Sequence, residues 1–343
     1  MTKFLIAGDI HWRGTNPRGR TDDYLQALGA KLDEIAGLCQ EHDAQLIIPG
    51  DLFDSPGVGW WVTGQLVNKL RLISKTSGQL ILTIPGNHDI FGSNPDSVFR
   101  TPYGFLEFTD TIWNVARSRM RRRHEGASET VQISGHGYDA NTDTDTPEGR
   151  AQFMAPEPKD DSVAKIHLVH SNLLLQAPGF DMPHTLIDDV KTNADVIIAG
   201  HYHPGLGSGR YTYTRDDGVL FINPGALART SASVSDTERP VQVALLTIMR
   251  IENKLWFGVQ TIPLKSALPG HEVLSRQHLD DAQVRAGRIQ DFLELLAEEG
   301  QSRFLEMSEI IEDITERDRL PREIKAEALR RLSLAQEALG VRG

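Results

Sequence analysis

The chain has a single cysteine, Cys39, in 343 residues. Internal disulfides and zinc sites built from several thiolates are therefore excluded, and a reducing compartment, the cytoplasm, is expected. Cys39 reads as a small apolar residue on a helix face, with a reactive thiol as the alternative. Long apolar runs are also missing. No stretch reaches the roughly 20 residues that cross a bilayer, so no membrane partner is expected. Positive charge is in deficit, since 36 Lys and Arg stand against 47 Asp and Glu for a net charge of −11. Phosphate contacts dominate nucleic-acid affinity, so such a balance weighs against a broad grip on DNA. Much of the acidity comes late, at Glu294, Glu298, Glu299, Glu306, Glu309, Glu312, Asp313 and Glu316. No Gly-x-x-x-x-Gly-Lys-Ser/Thr segment occurs, so the chain does not supply the phosphate loop of an ATPase. It opens as a strand running straight into a polar cluster, and no signal peptide is expected.

What is present is a pattern repeated five times. Apolar runs at Phe4–Ala7, Leu46–Ile48, Leu80–Ile84, Ile166–Val169 and Val196–Ala199 read as buried parallel strands. Each leads into a polar cluster: Asp9-Ile10-His11, Gly50-Asp51-Leu52-Phe53-Asp54, Gly86-Asn87-His88-Asp89, His170, and Gly200-His201-Tyr202-His203. The carboxyl ends of strands are where open α/β sheets build their sites. The clusters offer Asp, Asn and His, a donor set for hard-to-borderline divalent cations. Unpaired charge at the ends of buried strands is costly without a cation to offset it.

The spacing predicts an α/β fold. Helices are expected over 21–42, capped within Thr21-Asp22-Asp23, and over 58–74. The resulting βαβαβ unit reads as the opening of a doubly wound sheet. Residues 90–165 are less periodic, and 141–147 reads as a polar loop. After His203, runs at Val219–Asn223, Val241–Ile248 and Leu255–Ile262 suggest a second sheet packed on the first, with helices outside. A composition break after Pro269-Gly270 divides the chain into 1–268 and a helical segment, 269–343. That segment either packs on the core or docks another protein.

The motif order resembles the calcineurin-like metallophosphoesterases, and within them the SbcD-type DNA repair nucleases and their bacteriophage recombination counterparts. The motifs span residues 9–203, and similar order continues through Ile222–Leu227. The resemblance implies two packed sheets flanked by helices and a centre for two divalent cations. Asp51 would bridge them, with Asp9, His11 and His203 completing one and Asn87, His170 and His201 the other. The mixed N/O donors suit manganese best, and magnesium, iron and zinc are compatible. The motif puts His88 beside the scissile phosphate as the acid for the leaving oxygen. The carboxylate of Asp54 would orient that ring or contact the phosphate. Part of the nuclease family has histidine at the Asp54 position, and aspartate resembles the bacterial and phage branch and the wider phosphatases.

The implied activity is metal-dependent DNA exonuclease or endonuclease cleavage in repair, recombination or replication, with an SbcC-type coiled-coil ATPase as partner. The alternative is phosphoester hydrolysis on a nucleotide or phosphoprotein without DNA. Protein Ser/Thr phosphatases carry arginine after the second-motif aspartate and glutamate after Asn-His, where this chain has Ser55 and Asp89. The run Arg117–His124 is the one dense basic patch, a DNA contact or a solvated hairpin. His136 ends a strand and reads as structural or as a neighbour of the cleft. Adjacent Trp60 and Trp61 cannot both enter one core, so one is expected to be half exposed, on a surface suited to a homodimer.

Overall fold

The computed structural model describes residues 1–123, 129–156, 163–252, 254–275, 310–311, 314–315 and 321–338. Sheet one contains β1 (Thr2–Ile6), β2 (Gln45–Ile48), β3 (Leu82–Thr83) and β4 (Trp113–Asn114), all parallel. Sheet two contains β5 (Met120–Arg122), β6 (Thr130–His136) and β7 (Val163–Ser171). A small parallel pair, β8 (Leu173–Leu174) and β9 (Thr185–Leu186), follows. Sheet two is completed by β10 (Val196–His201), β11 (Thr212–Thr214) and β12 (Leu220–Ile222), in the order β11-β12-β10-β7-β6-β5. The chain then returns to sheet one as the hairpin β13 (Gln242–Ile251) and β14 (Lys254–Pro263), giving the order β14-β13-β1-β2-β3-β4.

Between these strands lie α1 (Tyr24–His42), α2 (Trp60–Ser77), α3 (Pro102–Phe108), α4 (Pro147–Ala151), α5 (Val234–Glu238) and α6 (Gly270–Val273). Asp23 caps α1 by accepting from the Gln26 N–H at 3.0 Å. The helix ends at Asp43, which takes the left-handed conformation. Gly78 ends α2 in the same way.

Alternation along the strands sorts the core into layers. Leu5 and Ala7 of the β1 segment and Leu46 and Ile48 of β2 meet Leu28, Leu32 and Ile35 of α1 and Leu66 and Leu70 of α2. Phe4, Ile6, Ile47 and Leu82 point the other way, against Ile133, Ile166, Leu168 and Ile198 of sheet two. The outer face of sheet two is covered by Phe153, Ile187 and Val190. Cys39 lies in the α1 core, and burial pushes its thiol up to about 12, so it behaves as a packing residue.

Two expectations are corrected. The unit is not doubly wound: α1 and α2 share one face of sheet one. Strands β1, β2 and β3 advance in one direction, so right-handed crossovers put both helices on the same side. The opposite face is taken by sheet two. That sheet is not assembled from the late strands alone, since β7 and β10 are central to it and the late hairpin joins sheet one. The two packed sheets themselves are as expected.

The chain separates into Met1–Ser275 and Arg276–Gly343, so the division falls later than residue 268. Residues 269–275 stay with the first unit because Thr21 N–H donates to Val273 O at 3.1 Å and Ser275 N–H to Gly19 O at 2.8 Å. Of the second unit, α7 (Arg322–Ala338) is the long described element. Residues 276–309 of the expected helical segment lie outside the described residues, as does His124. Among the described residues, no helix is long and apolar enough to cross a membrane.

Ile47, fully buried between the sheets, has no route for collapse around a smaller side chain. Ile47→Ala should cost about 2–5 kcal/mol, read as a lower urea midpoint with an unchanged slope. A loss under ~1 kcal/mol would show that the two sheets are loosely packed.

Candidate metal centre

The strand-end clusters converge where the carboxyl ends of the two sheets meet. Asp9 and His11 follow β1, Asp51 and Asp54 follow β2, and Asn87 and His88 form a turn after β3. His170 and His201 are the last residues but one and the last of β7 and β10, and His203 lies just beyond. The turns are tight enough that His11, Asp51 and His201 adopt positive φ, +49°, +50° and +85°. Non-glycine residues hold such angles at a cost that surrounding structure must offset, and they concentrate at functional sites. The motif glycines answer to close approach. A Cβ on Gly50 would fall 2.2 Å from His170 Nδ1, and one on Gly86 2.1 Å from Asp51 Oδ1.

All seven residues expected as ligands are brought together. His11 Nε2 lies 2.9 Å from His203 Nε2 and 3.5 Å from Asp51 Oδ2. Asp51 Oδ2 lies 3.3 Å from His170 Nε2, which is 3.1 Å from Asn87 Oδ1. Asp51, His170 and His201 present donor atoms within 4.8 Å of one another, and so do Asp9, His11 and Asp51. Asp51 is common to both groups, the position a bridging carboxylate needs.

His88 sits at the edge of this cluster, its ring 4.7 Å from that of His11. Its main-chain N–H donates to Asp51 Oδ1 at 2.9 Å. Its Nδ1 lies 2.8 Å from the main-chain oxygen of Asp54. Of the two roles expected for the Asp54 carboxylate, orienting His88 is the one altered. The carboxylate does not meet the His88 ring as its orienting partner; Arg13 Nη1 donates to it at 2.7 Å, and His11 Nδ1 lies 3.6 Å away. The backbone of Asp54 orients His88, because the sharp turn after Phe53 aims that carbonyl at the ring. His11, Asp54 and His88 also offer donor atoms within 4.8 Å.

Burial shapes the electrostatics. It drives His11, His201 and His203 down to about 3, leaving neutral rings with free lone pairs. Burial opposes the charge of Asp51 too, but His170 outweighs it and holds the carboxyl well below its usual range. His170 is raised to about 9: burial lowers it, and the Asp51 carboxylate more than reverses this. A cation beside Asp51 would compete with that proton.

Asp9 Oδ2 and His11 Nδ1 are buried without hydrogen-bond partners among the described residues. Orphaned acceptors cost on the order of 1–3 kcal/mol each unless something satisfies them. Facing imidazole nitrogens, a shared carboxylate and orphaned oxygen and nitrogen atoms together fit divalent cations. They would be held by Asp9, His11, Asp51, Asn87, His170, His201 and His203.

Three contributors escaped the sequence reading. Asp89 is fully buried and accepts from Leu52, Phe53 and Gly86 N–H groups at 3.3, 3.0 and 3.0 Å, tying the second and third motifs together. Burial, then Asp51, raises its carboxyl toward neutrality. Its place at the end of Gly-Asn-His-Asp was the available signal. Tyr138 lies over the His201 ring at 5.4 Å, and Arg13, two residues past His11, holds Asp54. Of the remaining histidines, His167 is bonded to Ser134 and Gln152 inside sheet two and is structural. His136 lines a cavity beside the centre, with Nε2 3.8 Å from Asp139.

Solved structures align with this chain at low identity. A dimetal phosphatase from Danio rerio aligns at 10% identity with a TM-score of 0.43, covering 76% of this chain and 98% of its own. Vacuolar protein sorting 29 from Cryptosporidium parvum aligns at 12% identity and 0.31, covering 77% and 98%. Vps29 from Entamoeba histolytica, a double mutant, aligns at 11% and 0.29, covering 76% and 99%. No curated protein gives a significant sequence match. The family model described as calcineurin-like phosphoesterase matches residues 2–205, the stretch that carries all seven of the converging candidate residues. This chain belongs to the calcineurin-like phosphoesterases.

Proposed function

We propose that the protein is a metal-dependent DNA nuclease of the SbcD type, acting with an SbcC-type coiled-coil ATPase in repair, recombination or replication. The observation that carries the choice of nucleic acid is a cavity of about 380 Å³ beside the centre, lined by Pro85, Phe99, Arg117 and His136. The Arg117 guanidinium lies 3.9 Å from the centroid of Phe99, whose ring is 64% exposed. A flat cation on an exposed ring is a platform on which a base stacks. Pro85 leads into Gly86-Asn87-His88, so the platform adjoins the reacting centre.

The basic run approaches the cleft with its first residues only. Strand β5 pairs antiparallel with β6, so Met120 lies nearer His136 than Arg122 does. Arg122 is taken up by Gln45 and Gln79 at 2.7 and 3.0 Å.

The two cations, manganese for preference, would supply activation of water and an offset for the charge gathering on phosphorus. The chain's own part is positional. Nδ1 of His88 donates to the Asp54 carbonyl, so the mobile proton of the charged ring sits on Nε2, ready for the departing oxygen. Arg13 holds the Asp54 turn. The net charge of −11 favours a second reading, hydrolysis of a nucleotide or phosphoprotein without DNA.

A homodimer is part of the proposal. Both Trp60 and Trp61 are exposed, not one, because they start α2 beyond the edge of the core. Trp60 meets Phe105 of α3 edge-on at 5.5 Å, and Phe108 is 85% exposed. Exposed aromatic side chains at the start of α2 and along α3 are unusual on a monomer.

Labelled linear duplex, hairpin and single-stranded DNA, incubated with manganese with and without the ATPase, should be cleaved, and chelation should stop cleavage. Hydrolysis of p-nitrophenyl phosphate with no DNA cleaved under any condition would select the second reading. His88→Gln should lower turnover by about 10²–10⁴-fold while metal counting still finds two cations; loss of one cation would make His88 a ligand. Light scattering should give a dimer at tens of micromolar, and Phe108→Glu a monomer; a monomeric parent chain rules the dimer out.

A further inference from the structure

Four cations are buried together on the α1 side of the molecule: Arg20, Lys31, Arg229 and Arg239. Two have carboxylate partners. Arg20 donates to both oxygens of Asp22, at 2.8 and 2.6 Å, and Arg239 Nε to Asp236 at 2.6 Å. Among the described residues, the other two meet only carbonyls. Lys31 Nζ donates to Leu227 O at 2.7 Å. Arg229 donates to Leu268 O and Arg239 O, each at 2.6 Å, and its buried Nε–H has no acceptor.

Carbonyls orient a cation without neutralising it, so Lys31 and Arg229 lack a directly bonded carboxylate in a place largely shielded from water. Burial, then repulsion from Arg20, Arg229 and Arg239, pushes Lys31 down to about 7. Arg20, Lys31 and Arg229 line one cavity of about 300 Å³, with Ala27 and Ala30 of α1 on its wall. The other carboxylate on that wall, Asp23, is exposed and is engaged in capping α1.

We propose that this cavity is a second, metal-independent site for a phosphate-type oxyanion, inorganic phosphate or the phosphate of a mononucleotide, held between Lys31 and Arg229. A guanidinium N–H and an ammonium are the donors that oxyanions take up most strongly. The site is linked to the metal centre through the loop over Lys31. The Leu227 and Ala228 N–H groups donate to Asp9 O at 3.1 and 3.2 Å, and that of Ala226 to His203 O at 3.1 Å. An anion that fixes Lys31 therefore steadies the backbone on which two metal ligands rest. The inference stands apart from the choice between DNA and other phosphoesters.

The test melts the full-length protein, metal-loaded and metal-stripped, in inorganic phosphate against chloride of equal ionic strength. Phosphate should raise Tm by roughly 2 °C or more in both forms. A shift confined to the metal-loaded form would assign the anion to the metal centre and overturn the proposal, and so would no shift in either. Ala30→Glu, at an exposed position on the cavity wall, offers the same cations a tethered carboxylate without deleting a buried contact. It should melt no lower than the parent and bind phosphate at least tenfold more weakly by calorimetric titration. Full phosphate binding by Ala30→Glu would also overturn the proposal. A parallel titration with deoxyadenosine monophosphate separates the free ion from one carried on a nucleoside.

Discussion

Asp51 and His170 come within 3.3 Å of each other across the seam between two sheets, and the arrangement of the centre depends on that meeting. One residue follows β2 of sheet one, and the other ends β7 of sheet two. Each is buried, and neither sheet alone could satisfy its own member. Packing of Phe4, Ile6 and Ile47 against Ile133, Ile166 and Ile198 sets the distance between the sheets and so the distance between these two side chains. Apolar packing of the interior thus fixes the geometry of the polar site at its rim.

Burial then acts in opposite senses at two places in the same domain. At the seam it strips protons from three imidazoles and leaves Asp9 Oδ2 and His11 Nδ1 without partners. That gathers electron pairs and calls for cations. On the α1 side it surrounds Lys31 and Arg229 with carbonyls and leaves a buried N–H without an acceptor. That gathers donors and calls for an anion. The loop 226–228 touches both, so the two demands are carried by one short piece of backbone.

Much of the centre was legible from residue order. A run of β-branched residues ending in Asp-x-His or Gly-Asn-His-Asp marks both a strand and its carboxyl-end loop, because strand propensity and ligand chemistry are local properties. All seven expected ligands lie in those clusters, and the choice of those seven is what the family resemblance implies. Asp89 was on view in the same motif yet went unread. Its role is to accept three main-chain N–H groups from two separate loops, and no spacing rule encodes that. Asp54 was read through its side chain, whereas its carbonyl faces His88. Which group of a residue points where depends on turn dihedrals, and residue type carries little of that information.

The sequence by itself determined the strand runs that lead into the site, the candidate donor clusters and the α/β class, since alternation, helical spacing and donor chemistry are written in neighbouring residues. Only the tertiary structure decided how the strands divide between two sheets, with the late hairpin joining the first and β7 and β10 forming the second. It alone placed α1 and α2 on one face and gathered Arg20, Lys31, Arg229 and Arg239 into one buried group. These features join residues as far apart as Thr2 and Ile248. Such contacts arise from the handedness of crossovers and the packing of whole layers, which no local pattern records.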